Sequence, residues 1–516
     1  MAMKHSTKGA LLLLLLAVVG IVAYRFMMPW LFEREQRLTS DAAKSSATIR
    51  IGGDDYLGYW FINSPLMKQL SARRGMSIIF TNDGGAYADR LEKFSKGEYD
   101  CIVLPVNSYL QHGAAHQYPG VFTAGISESR KADGVVGFNV GPSFTVNDLN
   151  DPSKTWVYIP DSPSSFLIDL MINDFGLDLL RKSSGWRMEV NSTEELLQAA
   201  RDGRGDFYVT WEPNIMRLLE MDGMSYVFGS DKFRGYIIDA FAFHRDFVTK
   251  RRQDMISFLR TYFSVMTSYA SNREEMLDGM GRSMKLDKDN VRKMLGTVEW
   301  FDLAENCSQL FGINPGGGSG AGEGLVESIL ACTEVLVNSG TLKGDPLKGN
   351  PYIIVNRSIL EELAQTSVMG AAGGAAQRID FEQLNDAQWM KLQPFAMFKA
   401  MDITFQSWNE ALSPDGEETV DSLATKLINN YPMHRIIVRG HTSPGGDERL
   451  NTENSQNRAQ AVVQRLVGVF NMDPDRIRAE GAGSSKPPAP ISGESSRSYR
   501  YRHSRVEILA VQDNPF

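Results

Sequence analysis

Cysteine is scarce, with Cys101, Cys307 and Cys332 the three thiols in a chain of 516 residues. So few exclude a disulfide-stapled scaffold, and no Cys/His spacing has the look of a zinc site. Cys101, inside the apolar run Cys101-Ile-Val-Leu104, reads as a buried core thiol. Cys307 and Cys332 flank a glycine-rich loop. An oxidising compartment permits a bridge between them, and two free thiols are nearly as consistent with the sequence. Catalytic signatures are missing as well. The seven histidines form no His-Glu-x-x-His, no Gly-x-Ser-x-Gly occurs, and Gly316-Gly-Gly-Ser-Gly-Ala-Gly322 lacks the Lys-Ser/Thr of a phosphate loop. The chain therefore reads as a non-enzyme with no metal and no cofactor. Basic residues are not in excess. A net charge of −8 argues against nucleic acid as a partner. The local run Arg497, Arg500, Arg502, Arg505 reads as a solvated strand edge ahead of a polyanion site.

Long apolar runs are confined to the start. Lys4 and Lys8 precede Ala10 to Tyr24, and Arg25 and Phe26-Met-Met-Pro-Trp-Leu-Phe32 follow. Arg25 can snorkel and Trp30 can sit at the interface, which extends the run to the ~20 residues a membrane helix needs. With no small-x-small cleavage site and no cysteine for lipid attachment, the segment reads as an uncleaved, single-pass inner-membrane anchor. The basic end stays in the cytoplasm, so everything after Phe32 faces the periplasm. The apolar run holds no Asp or Glu, which counts against an ion-conducting stator protein.

Ordinary globular composition, 42% hydrophobic and 22% charged, and the length predict several domains. Residues 1–32 read as cytoplasmic N-terminus and anchor, 33–46 as a polar stalk, 47–365 as a two-lobed domain, 366–395 as a linker and 396–516 as a C-terminal domain. In 47–365 strands alternate with helices. Strands are expected at 47–51, 77–80, 101–104, 155–159, 186–190, 206–210, 236–238 and 240–243, and helices at 88–96, 167–175, 193–201 and 250–271. That alternation predicts an α/β fold with mainly parallel sheets and a cleft between lobes. Asp54, Tyr56, Trp60 and Asp83 lie on first-lobe loops and are candidates to line it. The turn Ser162-Pro-Ser-Ser165 opens a helix. Its hydroxyls and amides suit an anion, or simply cap the helix. Trp211 and Glu212 end a strand, where an indole can stack and a carboxylate can hold an amine. Asp239 lies between apolar strand residues, either lining the cleft or anchoring a hinge strand.

This part resembles the periplasmic solute-binding proteins of the nitrate, taurine and thiamine-precursor class. The resemblance rests on Gly58-Tyr-Trp60, the turn Pro160 to Phe166, Trp211-Glu-Pro213 and the late stretch Gly349 to Ser358. It implies a small anionic or zwitterionic solute bound by Asp54, Tyr56, Trp60, Asp83, Ser162, Ser164, Ser165, Trp211, Glu212 and Asp239.

The C-terminal domain is organised around Ile436-Ile-Val-Arg-Gly-His-Thr-Ser443, a strand that runs into a polar loop and then a helix from about Thr452. Thr442, Ser443, Asn451 and Arg458 cluster at the strand's end and the helix's first turns, with Arg458 as a fork-shaped partner for a carboxylate. Gly440, His441, Thr442, Gly446, Asn451, Arg458 and Ala459 fall in the register of the α+β OmpA-like peptidoglycan-binding domain. The resemblance implies that Thr442, Ser443, Asn451 and Arg458 bind peptidoglycan, with Arg458 gripping a carboxylate of diaminopimelate. The family's loop Asp, which grips the amine, is Ser443 here, and Asp447 is a candidate substitute. Residues 402–405 resemble the domain's first strand. The combined reading is a membrane-anchored periplasmic protein holding a solute in one domain and the wall with the other. The alternative is a scaffold component of an envelope assembly, with other envelope proteins as partners. The topology predicts that alkaline phosphatase fused after Phe516 is active and a cytoplasm-dependent reporter at the same place is silent; the reverse pattern contradicts the anchor.

Overall fold

A computed structural model of the chain describes residues 47–141, 144–314, 322–366, 379–399, 401, 403–406, 410–488 and 493–512. The expected anchor and stalk lie outside the described residues. Among those described, no helix is long and apolar enough to cross a membrane.

The first lobe is built on β1 (Ala47–Gly53), β2 (Met76–Asn82), β3 (Cys101–Pro105), β4 (Gly120–Ser129), β10 (Ile238–His244) and β11 (Val298–Trp300), in the order β11-β4-β10-β3-β1-β2. The second lobe holds β5 (Asp133–Phe138), β6 (Trp156–Tyr158), β7 (Arg187–Glu189), β8 (Phe207–Trp211) and β9 (Met224–Gly229), in the order β7-β6-β8-β5-β9. The helices that matter below are α1 (Tyr87–Ser95), α2 (Val106–Gly113), α3 (Pro163–Phe175), α4 (Arg252–Ser271) and α5 (Gly324–Ser339).

The sheets are mixed rather than mainly parallel. β1 runs parallel to β2 and β3, but β10 is antiparallel to both β3 and β4, and β5 is antiparallel to β8 and β9. The reason is the route of the chain. It leaves the first lobe after β4, enters the second as β5, and returns after β9 to lay β10 into the middle of the first sheet. The two crossings are tied together: Ser129 Oγ and Ser230 Oγ are 2.7 Å apart, and Ser129 N–H donates to Ile237 O at 3.0 Å. Glu128, buried beside them, accepts from Gly235 N at 2.6 Å and pairs with Arg130 at 2.9 Å. Burial pushes its carboxyl up to about 7 against the pull of Arg130.

Of the two readings left open for Cys307 and Cys332, the structure shows free thiols and no bridge. Both are free, buried thiols, and Cys332 Sγ instead donates to Tyr236 O at 3.2 Å. Cys307 lies in the short helical turn Asn306–Leu310 and Cys332 within α5, each packed in apolar surroundings.

The C-terminal domain has β12 (Gln393–Met397), β13 (Arg435–Gly440), β14 (Ile477–Gly481) and β15 (Val506–Gln512) in the order β12-β15-β13-β14, with α6 (Pro414–Asn429), α7 (Glu448–Gly468) and α8 (Ser496–His503). The edge strand is Gln393–Met397, not 402–405, where Phe405 makes a lone antiparallel bridge to Leu412. The arginine-rich run expected as a strand edge forms most of α8, capped by Ser495.

This domain packs on the second lobe and on the return crossing. Asp174, fully buried in α3, accepts from Lys426 Nζ at 2.7 Å, Tyr431 Oη at 2.6 Å and Tyr236 Oη at 3.2 Å. Asn147 caps the end of β12, accepting from Met397 N at 2.7 Å and donating to Met397 O at 3.0 Å. Phe175, Phe398 and Tyr431 stack around these bonds. On the crossing itself, Arg234 N donates to Asn430 O at 2.8 Å, Asn430 Nδ2 returns a bond to Arg234 O at 3.0 Å, and His434 Nε2 donates to Lys232 O at 2.9 Å. Burial pulls His434 down to about 4 from the ordinary 6.5, opposed by its bond to Lys232 O.

Two outcomes are expected. Removing a buried ion-pair partner strands the remaining groups, so Asp174→Ala should lower stability by about 3 kcal/mol and split the C-terminal domain's melting from that of the lobes in calorimetry; an unchanged single transition would show that the pin is dispensable. His434 is neutral when folded and takes a proton on unfolding below 6.5. Its contribution, about 3 kcal/mol, is therefore complete above pH 6.5 and is lost as pH falls towards 4. His434→Gln should flatten that part of the urea-stability profile.

Candidate functional sites

Between the lobes, Tyr56, Tyr59, Tyr87, Trp211, Asp133 and Asp239 line a cavity of about 10 Å³, the room of roughly one water molecule. Three of the expected residues, Tyr56, Trp211 and Asp239, are there. Tyr59 donates to Asp239 through a short hydrogen bond. Burial, then the neighbouring Asp133 and Asp54, pushes the Asp239 carboxyl well above its ordinary range, and the Tyr59 hydroxyl opposes them. Asp133 rises to about 7, mainly through burial. Neither carboxylate has a cationic partner among the described residues. Tyr56 Oη is buried without a hydrogen-bond partner.

The other expected cleft residues are engaged elsewhere. Asp54 and Asp83 both grip Arg90, at 2.8 and 2.5 Å. Arg90 is wholly buried and also donates to Val103 O at 2.6 Å. This triad ties the loops after β1 and β2 to α1. Trp60 faces the helices instead of the cleft: its Nε1 donates to Ser283 Oγ at 2.9 Å and its ring packs against Tyr269. Ser162 and Ser165 cap α3. Ser162 Oγ donates to Ile159 O at 2.6 Å and accepts from Ser164 N at 3.2 Å, while Ser165 Oγ accepts from Ser162 N at 3.1 Å. The hydroxyls expected to meet an anion are thus turned onto the helix end. Ser164 Oγ stays buried and unpartnered. Glu212 accepts from Met216 N at 3.1 Å and caps the helix that follows; burial raises it to about 7.

Arg90, Tyr59, Tyr87 and Asp133 escaped the sequence reading. Tyr87, Arg90, Leu91 and Phe94 are the buried face of α1. An arginine within an apolar stripe at i, i+3, i+4, i+7 was the available signal. Tyr59 and Trp60 are adjacent on a helical turn, where one residue of offset rotates a side chain by about 100° and sends it to another face.

In the C-terminal domain, β13 ends against α7. A Cβ at Gly440 would lie 2.0 Å from Ser455 O, so only glycine allows strand and helix this close. That contact sets the loop 441–447 beside the α7 face carrying Asn451, Ser455 and Arg458, spaced i, i+4, i+7. Thr442 Oγ1 is buried and unpartnered, Ser443 Oγ donates to Arg500 O at 2.8 Å, and Asn451 Nδ2 donates to Gly445 O at 2.9 Å. Arg458 lies over the Phe405 ring at 5.5 Å and donates to Ser504 Oγ at 2.7 Å. No carboxylate pairs with Arg458 among the described residues. Asp447, the candidate substitute for the family's loop Asp, is the N-cap of α7, accepting from Arg449 N at 2.8 Å. Beneath the loop, His441 Nε2 lies 3.0 Å from Glu507. Burial would raise Glu507, but His441 and Arg505 outweigh it and hold it at about 2.

Residues 404–501 match the profile of the OmpA family. The chain carries an OmpA-family domain at its C-terminus. It is 34% identical over 106 residues to the probable lipoprotein YiaD of Escherichia coli K12, covering 20% of this chain and 46% of that protein. With outer membrane protein A of Shimwellia blattae it shares 32% over 110 residues, 21% of this chain and 44% of that protein. The chain thus spans less than half the length of these curated relatives. Among solved structures, the alkanesulfonate-binding protein SsuA from Xanthomonas axonopodis pv. citri aligns with 58% of this chain and 95% of its own, at 15% identity and a TM-score of 0.45.

Proposed function

We propose that this chain is a periplasmic binding protein fixed to the cell wall, with a solute site between its lobes and a peptidoglycan site on its OmpA-family domain. The observation that carries the wall half is Arg458. A guanidinium held in place by one neutral hydroxyl and an aromatic face, with no carboxylate partner among the described residues, has its charge available for a carboxylate on the ligand. Thr442 Oγ1, buried without a partner, adds a second group for a ligand to satisfy. The clamp is one-sided, since Ser443 stands where the family's acidic residue would hold the amine. An N-terminal anchor at 10–32 would then span the periplasm together with the wall site.

The solute half rests on the cavity, whose lining comes from both lobes. The scaffold reading is favoured by one observation, the small size of that cavity in the closed lobes.

A charge-assisted hydrogen bond contributes about 1.5–3 kcal/mol, so Arg458→Ala in the full-length chain should weaken sedimentation with purified sacculi by at least tenfold. Ser443→Asp should strengthen it by supplying a partner for the amine. Equal sedimentation of all three proteins would move the wall contact away from this loop.

A further inference from the structure

We propose that the interlobe cavity is a receptor for a primary ammonium group, so that the solute is an amine and not a sulfonate- or nitrate-like anion. This rests on the solute-binding reading above and names the chemistry of its ligand. Four aromatic residues line it, Tyr56, Tyr59, Tyr87 and Trp211, with one face of Tyr87 taken by Arg90 at 4.7 Å and the carboxyls of Asp133 and Asp239 beside them. Electron-rich ring faces and carboxylates both attract cations, and both repel anions. The nearest buried guanidinium, Arg90, is already neutralised by Asp54 and Asp83 and has no charge left to offer an anion.

Two features favour a primary ammonium over a bulkier cation. The space, about 10 Å³, admits a group the size of one water. An –NH3⁺ group has three N–H donors. The cavity presents three acceptors: Asp133, Asp239 and Tyr56 Oη, which is more than nine-tenths buried and has no partner of its own. The two carboxylates also come from opposite lobes. Asp133 opens β5 directly after the first crossing, and Asp239 lies in β10 directly after the return. Buried together, the two carboxyls hinder one another's ionisation across the cleft, and a cation placed between them favours the ionised pair. The ligand that closes the lobes is therefore one that brings a positive charge.

The test uses the full-length protein in thermal-shift titrations with methylammonium chloride, tetramethylammonium chloride and sodium ethanesulfonate, at matched ionic strength and pH 7.5. The expected result is a concentration-dependent rise in Tm with methylammonium, a smaller one or none with tetramethylammonium, and none with ethanesulfonate. Asp133→Asn and Asp239→Asn should each weaken the methylammonium response at least tenfold, because each removes a carboxylate from the ammonium's shell. Tyr56→Phe, which keeps the ring and deletes the orphan hydroxyl, should weaken it severalfold with little change in the unliganded Tm. A response to ethanesulfonate alone would overturn the amine assignment and leave the solute cleft standing. Silence to every probe would overturn both. A methylammonium response that survives both Asp→Asn changes would place the amine elsewhere and also overturn the proposal.

Discussion

A carboxylate with no exposure to water sets the arrangement of the whole chain. Asp174 has to be compensated where it is buried, and its three partners come from two places: Lys426 and Tyr431 from the C-terminal domain, and Tyr236 from the return crossing between lobes. Separating the domains would leave that charge in an apolar setting, a loss far larger than one exposed ion pair would give. The C-terminal domain is consequently part of the same packed body as the second lobe, and apolar contacts run on from Phe175 through Phe398 to Tyr431.

The position of that contact has a functional consequence. The segment that β9 and β10 share as a crossing is the segment the C-terminal domain grips, through Asn430 on Arg234 and His434 on Lys232. In a two-lobed protein the crossings carry the angle between lobes, as a few residues absorb the rotation of a hinge. Here one crossing is bonded to the domain that we assign to the wall. Bonding it there restricts the rotation available to the lobes and is consistent with the closed, water-sized cavity between them.

The two sites are opposite in electrostatic design. Among the described residues, the guanidinium at the loop after β13 has no carboxylate partner and the two carboxyls between the lobes have no cationic one. Each is an incomplete ion pair, and in our proposals a ligand supplies the missing half. Completed pairs elsewhere, such as Arg90 with Asp54 and Asp83, show what the chain does with charges that serve structure. In them every strong donor is met, and the side chain is sealed away from solvent.

Local patterns in the sequence determined much of the framework. Apolar runs of β-branched residues mark β1, β3 and β13; the Ser-Pro-Ser-Ser turn marks the start of α3; and the spacing of Gly440, Asn451, Arg458 and Ala459 identifies the C-terminal domain, since strand, loop and helix contacts there lie within a few dozen residues of one another. Tyr56, Trp211 and Asp239 were also legible, as polar or aromatic residues at element ends that face a cleft. The tertiary structure alone decided the direction of β5 and β10, the turning of Trp60 towards the helices and the capture of Asp54 and Asp83 by Arg90. It also decided the docking of the C-terminal domain on the hinge. These depend on residues far apart in the chain, such as Asp174 with Tyr431 or Tyr59 with Asp239. A sequence shows that such groups are present and of the right kind. Which carboxylate meets which partner is settled only when folding brings them together and burial makes leaving one unpaired too costly.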